Sequence, residues 1–345
     1  MAMSLSRRWL LTAATLVPAA FRPAGALARS PATQPLTREP VRPGAPPQDV
    51  WDVWPGRPPG GERVPAWSSP TPPPRPVLAG DLHGYARPVL AVWRPQHASG
   101  GSLLILPGGG YHFVSWDNEG TSIAQRLLPT GITVYVLAYR LPGDRLGWAN
   151  EADAPLADAQ RAMRLIRDDA ATHGRDPADV GVLGFSAGGH LAGRLLTEFG
   201  RPAYAPIDAG DRHSARPAYA GLLYPVITLK PPYTHTGSRR ALVGEGNGHE
   251  ALANALSVET NIRPGICPTF VAQALDDDVV DPQNALIALA ALRTAQVPCE
   301  LHLFQEGKHG FGVTLPSSVP AAAWPELFLA WARRIGGFGG EVPLR

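Results

Sequence analysis

Short apolar runs at 89–93, 103–106, 133–139, 180–183, 221–227, 269–275 and 300–304 are separated by longer stretches with apolar positions every three or four residues. Runs of this length, bounded by Gly, Pro and Asp, read as strands, and the stretches at 119–128 and 155–171 read as helices. Strands that alternate with helices predict an α/β fold with a mainly parallel sheet and helices on both faces. In such a sheet a ligand site lies beyond the C-terminal ends of the strands.

Two glycine-rich turns fall at such ends. The run at 180–183 leads into Gly184-Phe185-Ser186-Ala187-Gly188-Gly189-His190, followed by an apolar helical stretch. Strand, Gly-x-Ser-x-Gly turn and helix in that order is the context of a nucleophile elbow. The glycines let the chain fold tightly around a serine whose hydroxyl projects from the sheet. The N-terminus of the helix turns positive charge toward any anion forming there. A plain strand-to-helix turn with a capping serine is the bland alternative.

The second turn, Pro107-Gly108-Gly109-Gly110-Tyr111, lacks the Gly-Lys-Ser/Thr ending of a phosphate loop. It reads better as an oxyanion loop, in which glycines allow backbone N–H groups to face the serine.

In this topology the partners of Ser186 follow it as an acid and then a histidine. His302 lies within an alternating strand and reads as structural, whereas His309, in Gly307-Lys308-His309-Gly310, lies on a loop past the strand end. His309 is the candidate base. The preceding strand ends in Asp276-Asp277-Asp278, and Asp277 is the candidate acid; the spacing matches no calcium loop. One buried carboxylate would fix the imidazole tautomer and stabilise its cation. Tyr111, Trp116 and Trp148, with Tyr224 and Phe311, fall near the predicted rim and are candidate substrate contacts.

The first residues, with Arg7-Arg8, an apolar segment at 9–20 and Ala26-Leu27-Ala28, read as an export signal over 1–28 of twin-arginine type. Export to the periplasm or outside the cell, with no lasting membrane anchor, is the expectation. Residues 29–76 are crowded with proline and read as a linker or arm, although Trp51, Trp54 and Trp67 suggest that its later part lies on the domain. The main domain is expected over 77–345, with a small cap at 228–264 whose helical signal is strongest at 250–256.

Lys and Arg number 31 against 29 Asp and Glu, and no basic run carries interleaved aromatics, so nucleic acid is not an expected partner. Cys267 and Cys299 each precede a predicted strand at the same end of the sheet, so they could bond if those strands are neighbours, and two free thiols stay equally open.

Taken together, Leu106 to Tyr111 with Glu119-Gly120, Tyr139-Arg140-Leu141, Ala154 to Ala162, Gly184 to Leu191, Ala274 to Val280 and Gly307 to Phe311 resemble the α/β-hydrolase superfamily. The closer resemblance is to its exported esterases related to acetyl xylan esterases and feruloyl or acetyl carbohydrate esterases. The resemblance implies an α/β-hydrolase fold with a Ser186, Asp277, His309 triad. It also implies backbone oxyanion donors from Gly109, Gly110 and Ala187, and no cofactor or metal. Pro107 replaces the histidine that many lipases carry before the glycines. Asp281 stands where relatives usually have proline, which keeps Asp276 open as the triad acid. The implied substrate is an acetyl or feruloyl ester of a carbohydrate. A small-ester carboxylesterase or lipase, or a non-catalytic binding protein on the same fold, are the alternatives.

Overall fold

The computed structural model describes residues 45–245 and 248–339, so the expected signal at 1–28 lies outside the described residues. The strands are β1 (Asp49–Asp52), β2 (Asp81–Leu82), β3 (Val89–Trp93), β4 (Ser102–Leu106), β5 (Val114–Ser115), β6 (Thr133–Ala138), β7 (Val180–Phe185), β8 (Ala220–Leu223), β9 (Thr269–Ala274) and β10 (Cys299–Phe304). The α-helices are α1 (Ser122–Leu127), α2 (Ala154–Thr172), α3 (Ser186–Glu198), α4 (Thr236–Val243), α5 (Glu250–Leu256), α6 (Gln283–Thr294) and α7 (Trp324–Arg334). Eight strands form one sheet in the order β1-β3-β6-β4-β7-β8-β9-β10, while β2 and β5 form a separate two-stranded ribbon. Pairing from β6 to β10 is parallel, and the β1–β3 and β3–β6 pairs are antiparallel.

The central strands β4, β6 and β7 are buried along their whole length. That burial explains continuous apolar runs in place of alternation, since helices cover both faces. Each fully buried aliphatic side chain there contributes about 1.5–3 kcal/mol.

Three sequence boundaries shift for local reasons. The apolar run at 221–227 is a strand only through Leu223, because Tyr224 takes φ 37° and Pro225 has no N–H for the ladder. The helix expected at 119–128 begins with a π-turn over Asp117–Thr121 before α1. The segment at 228–264, expected as a cap, holds α4 as well as the expected α5; α4 is short and polar over its first five residues.

The largest correction concerns the arm. The arm is expected over 29–76, with its part from about Asp49 lying on the domain; Asp49–Asp52 is in fact the edge strand of the sheet, so the folded domain starts well before residue 77. Beyond β1, the chain is fixed by isolated buried apolar residues, Val53, Trp54, Val64 and Trp67, and by polar contacts. Trp54 Nε1 donates to Asp158 Oδ1 at 2.7 Å, Arg87 and Arg75 both pair with Asp52, and Trp67 Nε1 donates to the Ala86 carbonyl at 2.9 Å. Arg140, itself buried, joins these layers by pairing with Asp158 at 2.9 Å and donating to the Pro59 carbonyl at 2.7 Å.

Cys267 and Cys299 are both free, and burial pushes the Cys267 thiol up to about 12. His302 lies beside Glu300 on β10, 2.7 Å from its carboxylate, away from the strand ends. Among the described residues no helix is long and apolar enough to cross a membrane.

Asp158 is fully buried, and it holds both Arg140 and Trp54. Asp158→Ala is expected to cost about 3–5 kcal/mol of unfolding free energy, because an unpaired guanidinium would remain inside. Urea titration would show this as a lower midpoint.

Candidate active site

Strand register decides which loops meet. Leu106 at the end of β4 lies opposite Gly184 on β7, so the glycine loop emerges beside the Ser186 turn. Phe185 lies opposite Leu223, Leu223 opposite Ala272, and Ala274 opposite Phe304. Chain leaving β8, β9 and β10 therefore reaches the same rim.

Ser186 begins α3 with φ 51°, a left-handed conformation that a serine adopts only when its surroundings enforce it. The enforcement is close packing: a Cβ on Gly188 would stand 2.0 Å from the Leu106 carbonyl oxygen. Val226 N–H donates to the Ser186 carbonyl at 3.1 Å and ties the turn to the chain after β8.

His309 Nε2 lies 2.9 Å from Ser186 Oγ, and His309 Nδ1 lies 2.8 Å from Asp277 Oδ2. Asp277 Oδ2 also accepts from Gln273 Nε2 at 2.9 Å, and its Oδ1 accepts from the N–H groups of Val279 and Val280, each at 2.9 Å. Burial pushes the Asp277 carboxyl up, but the His309 contact and these N–H groups outweigh it and hold the pKa below the ordinary value. Asp276 does different work: its Oδ1 accepts from the N–H groups of Gly307 and Lys308, each at 2.9 Å, which braces the histidine loop. Of the two open candidates, Asp277 touches the ring.

Gly109 and Gly110 line the cavity beside Ser186. Gly109 has φ 121°, and a Cβ there would meet the Phe113 carbonyl oxygen at 2.1 Å. Ala187 follows the serine in the first turn of α3, where N–H groups have no partner within the helix. These amides and the positive end of α3 suit an anion forming next to Ser186 Oγ.

The expected substrate contacts Tyr111, Trp116 and Trp148 are corrected by the structure, which buries all three in the core. Tyr111 O–H donates to His190 Nδ1 at 2.8 Å, and His190 Nε2 donates to the Leu256 carbonyl at 2.9 Å. Burial, assisted by Arg194, lowers the His190 pKa to about 3, so the ring is neutral and links loop, helix and cap. Trp116 packs against Trp93, and Trp148 lies under the Arg140 guanidinium. Phe311 is also buried, while Tyr224 sets its ring edge-on to His309. A cavity of about 320 Å³ opens at the serine, walled by Gly109, Gly110, Phe113, His235, Val279 and His309 among others.

Glu119 had no role in the sequence reasoning, although it stood in one of the segments that carry the resemblance. It is buried, its Oε2 accepts from Gly108 N–H at 2.7 Å, and its Oε1 accepts from Tyr224 O–H at 2.8 Å. Tyr224 Oη in turn accepts from Gly312 N–H at 3.0 Å. One carboxylate thus joins the glycine loop, the end of β8 and the histidine loop. Burial raises its pKa despite the hydrogen bonds from Tyr224 and Gly108. An acidic residue in a weakly periodic turn was the signal available. Among the described residues no cluster of three or more His, Cys, Asp or Glu could hold a metal ion.

Comparison with known proteins agrees with this architecture. A family model described as alpha/beta hydrolase fold matches residues 103–313. An acetylxylan esterase from Xylanibacter ruminicola is 32% identical over 222 residues, covering 63% of this chain and 42% of the relative. Endo-1,4-beta-xylanase B from Butyrivibrio fibrisolvens is 32% identical over 247 residues, covering 70% of this chain and 35% of the relative. The chain therefore spans less than half the length of these two curated relatives. The crystal structure of an acetyl ester-xyloside bifunctional hydrolase from Caldicellulosiruptor lactoaceticus superposes with TM-score 0.67 at 31% identity, covering 84% of this chain and 97% of that one.

Glu119→Ala would remove the acceptor of the buried Gly108 N–H and break the bond from Tyr224 O–H. A loss of about 1–3 kcal/mol for the orphaned amide is expected, measured as a lower urea midpoint.

Proposed function

The chain belongs to the alpha/beta hydrolase family, and on that basis we propose that it is a carboxylic ester hydrolase working through an acyl-enzyme on Ser186. The observation that carries this reading is the 2.9 Å contact between His309 Nε2 and Ser186 Oγ, with Asp277 2.8 Å behind the ring. Asp277 keeps the His309 proton on Nδ1, so Nε2 can take the serine proton as Oγ attacks the ester carbonyl. The bond from Oγ to carbon forms while the carbonyl π pair moves onto oxygen, where the Gly109, Gly110 and Ala187 amides stabilise it. As this intermediate collapses, the C–O bond to the alcohol breaks and His309 returns the proton to the departing oxygen. Water, deprotonated by the same imidazole, then releases the acid and regenerates the serine.

The favoured substrate class is an acetyl ester of a carbohydrate. Two proteins similar to this one are named for acetylxylan and for an acetyl ester-xyloside. The aromatic side chains that would have suited a sugar ring or a feruloyl group, Tyr111, Trp116 and Trp148, are buried away from the cavity wall and favour neither. A cavity of about 320 Å³ is at the lower end for small-molecule sites. We also propose export by the twin-arginine route, on the evidence of Arg7-Arg8, the apolar segment and Ala26-Leu27-Ala28. A polymer-derived substrate outside the cytoplasm fits that destination.

Wild type is expected to release acetate from acetylated xylan fragments faster than ferulate from feruloylated ones. Ser186→Ala should lose at least about 10⁴-fold of p-nitrophenyl acetate turnover with an unchanged circular dichroism spectrum. A variant that kept wild-type turnover would end the acyl-enzyme reading. For export, Arg7→Lys with Arg8→Lys is expected to move the protein from the periplasmic to the cytoplasmic fraction. Equal fractionation of the two forms would remove the twin-arginine assignment.

A further inference from the structure

The cap sets one imidazole in the cavity wall that the Ser186, His309 and Asp277 array does not use. His235 precedes α4 as its N-cap, and its Nδ1 accepts the Ser238 backbone N–H at 3.2 Å, with Ser238 Oγ 2.9 Å away. A ring nitrogen that accepts an amide N–H carries no proton, so the neutral ring is protonated on Nε2. Burial, and then the charge of His309, lowers the His235 pKa below its ordinary value and favours that neutral ring.

The free edge of the ring faces glycines. A Cβ on Gly110 would stand 3.5 Å from Cε1, and a Cβ on Gly237 would stand 3.5 Å from Nε2. With no side chain on either residue, this edge borders the same cavity as Ser186 and His309. No group among the described residues accepts the Nε2 proton. His112 lies on the same wall, and its Nε2 is buried with no partner among the described residues. The wall next to the glycine loop therefore carries, at His235, an N–H that no described residue matches.

We propose that His235 recognises the alcohol part of polyol esters, its Nε2–H donating to a hydroxyl or ring oxygen close to the ester bond. The inference rests on the serine esterase reading and deepens it. With acetyl esters the one acyl oxygen is taken by the Gly109, Gly110 and Ala187 amides, so the acceptor for this bond is placed on the alcohol. A simple alkyl acetate would instead leave the N–H desolvated and unpaired, which is how a polar site rejects an analogue lacking the matching group. The cap then acts in specificity as well as in covering the site.

The test compares kcat/KM for a methyl xyloside monoacetate and for ethyl acetate, which share the acyl group. Asn at 235 can still cap α4 through its Oδ1 but has no atom at the Nε2 position. His235→Asn is expected to keep the thermal midpoint and to lower the ratio of the two kcat/KM values about tenfold. His235→Gln, whose amide N–H reaches farther, is expected to recover part of that ratio. Should His235→Asn fail to fold, His235→Ser, another good N-cap, makes the same comparison. An unchanged ratio in a folded variant, or a wild type that favours ethyl acetate, would overturn the assignment. A wild type that no fluorophosphonate labels would overturn the esterase reading, and this one with it.

Discussion

The close approach of α3 to the end of β4 is the constraint on which the site depends. Gly188 passes so near the Leu106 carbonyl that a Cβ would lie 2.0 Å from it. This packing holds Ser186 at φ 51° and draws the glycine loop after Leu106 against the serine. Strain at a single residue is affordable here because the strands on both sides are fully buried and leave the turn no alternative path.

Around that turn the polymer is held by buried polar atoms as much as by apolar packing. Glu119, Tyr224 and Asp277 each accept from or donate to groups on different loops, so the histidine loop and the glycine loop are tied to one another. Asp276 adds a brace through the Gly307 and Lys308 amides. Such groups matter chiefly through what their loss exposes. A satisfied buried hydrogen bond contributes about 1 kcal/mol, while an orphaned donor costs more. Rigidity follows, and a general base that must stay within hydrogen-bond reach of a hydroxyl needs it.

The segments before β3 and between β8 and β9 show the same economy. Before β3 the arm supplies an edge strand and fixes itself through Asp52, Trp54 and Trp67. After β8 the segment holding α4 and α5 is joined to α3 through His190 and Leu256, and it reaches the cavity with His235. In both stretches side-chain hydrogen bonds act together with scattered buried apolar residues such as Val53 and Leu256.

What the sequence determined by itself was local. Apolar runs marked the buried parallel strands because a strand covered on both faces admits little else, and small residues around Ser186 marked a turn too tight for side chains. The order of serine, acid and histidine along the chain named Ser186 and His309 and narrowed the acid to Asp277 or Asp276. Composition misread the arm, since one short strand among prolines has no period to detect. Proximity to a rim misread Tyr111, Trp116 and Trp148, because closeness in sequence does not say which way a ring points. Only the tertiary structure separated Asp276 from Asp277, gave Glu119 its partners and brought His235 to the cavity. Each of those depends on contacts between residues from 11 to more than 100 positions apart, and such contacts exist only once strand register has brought the loops together.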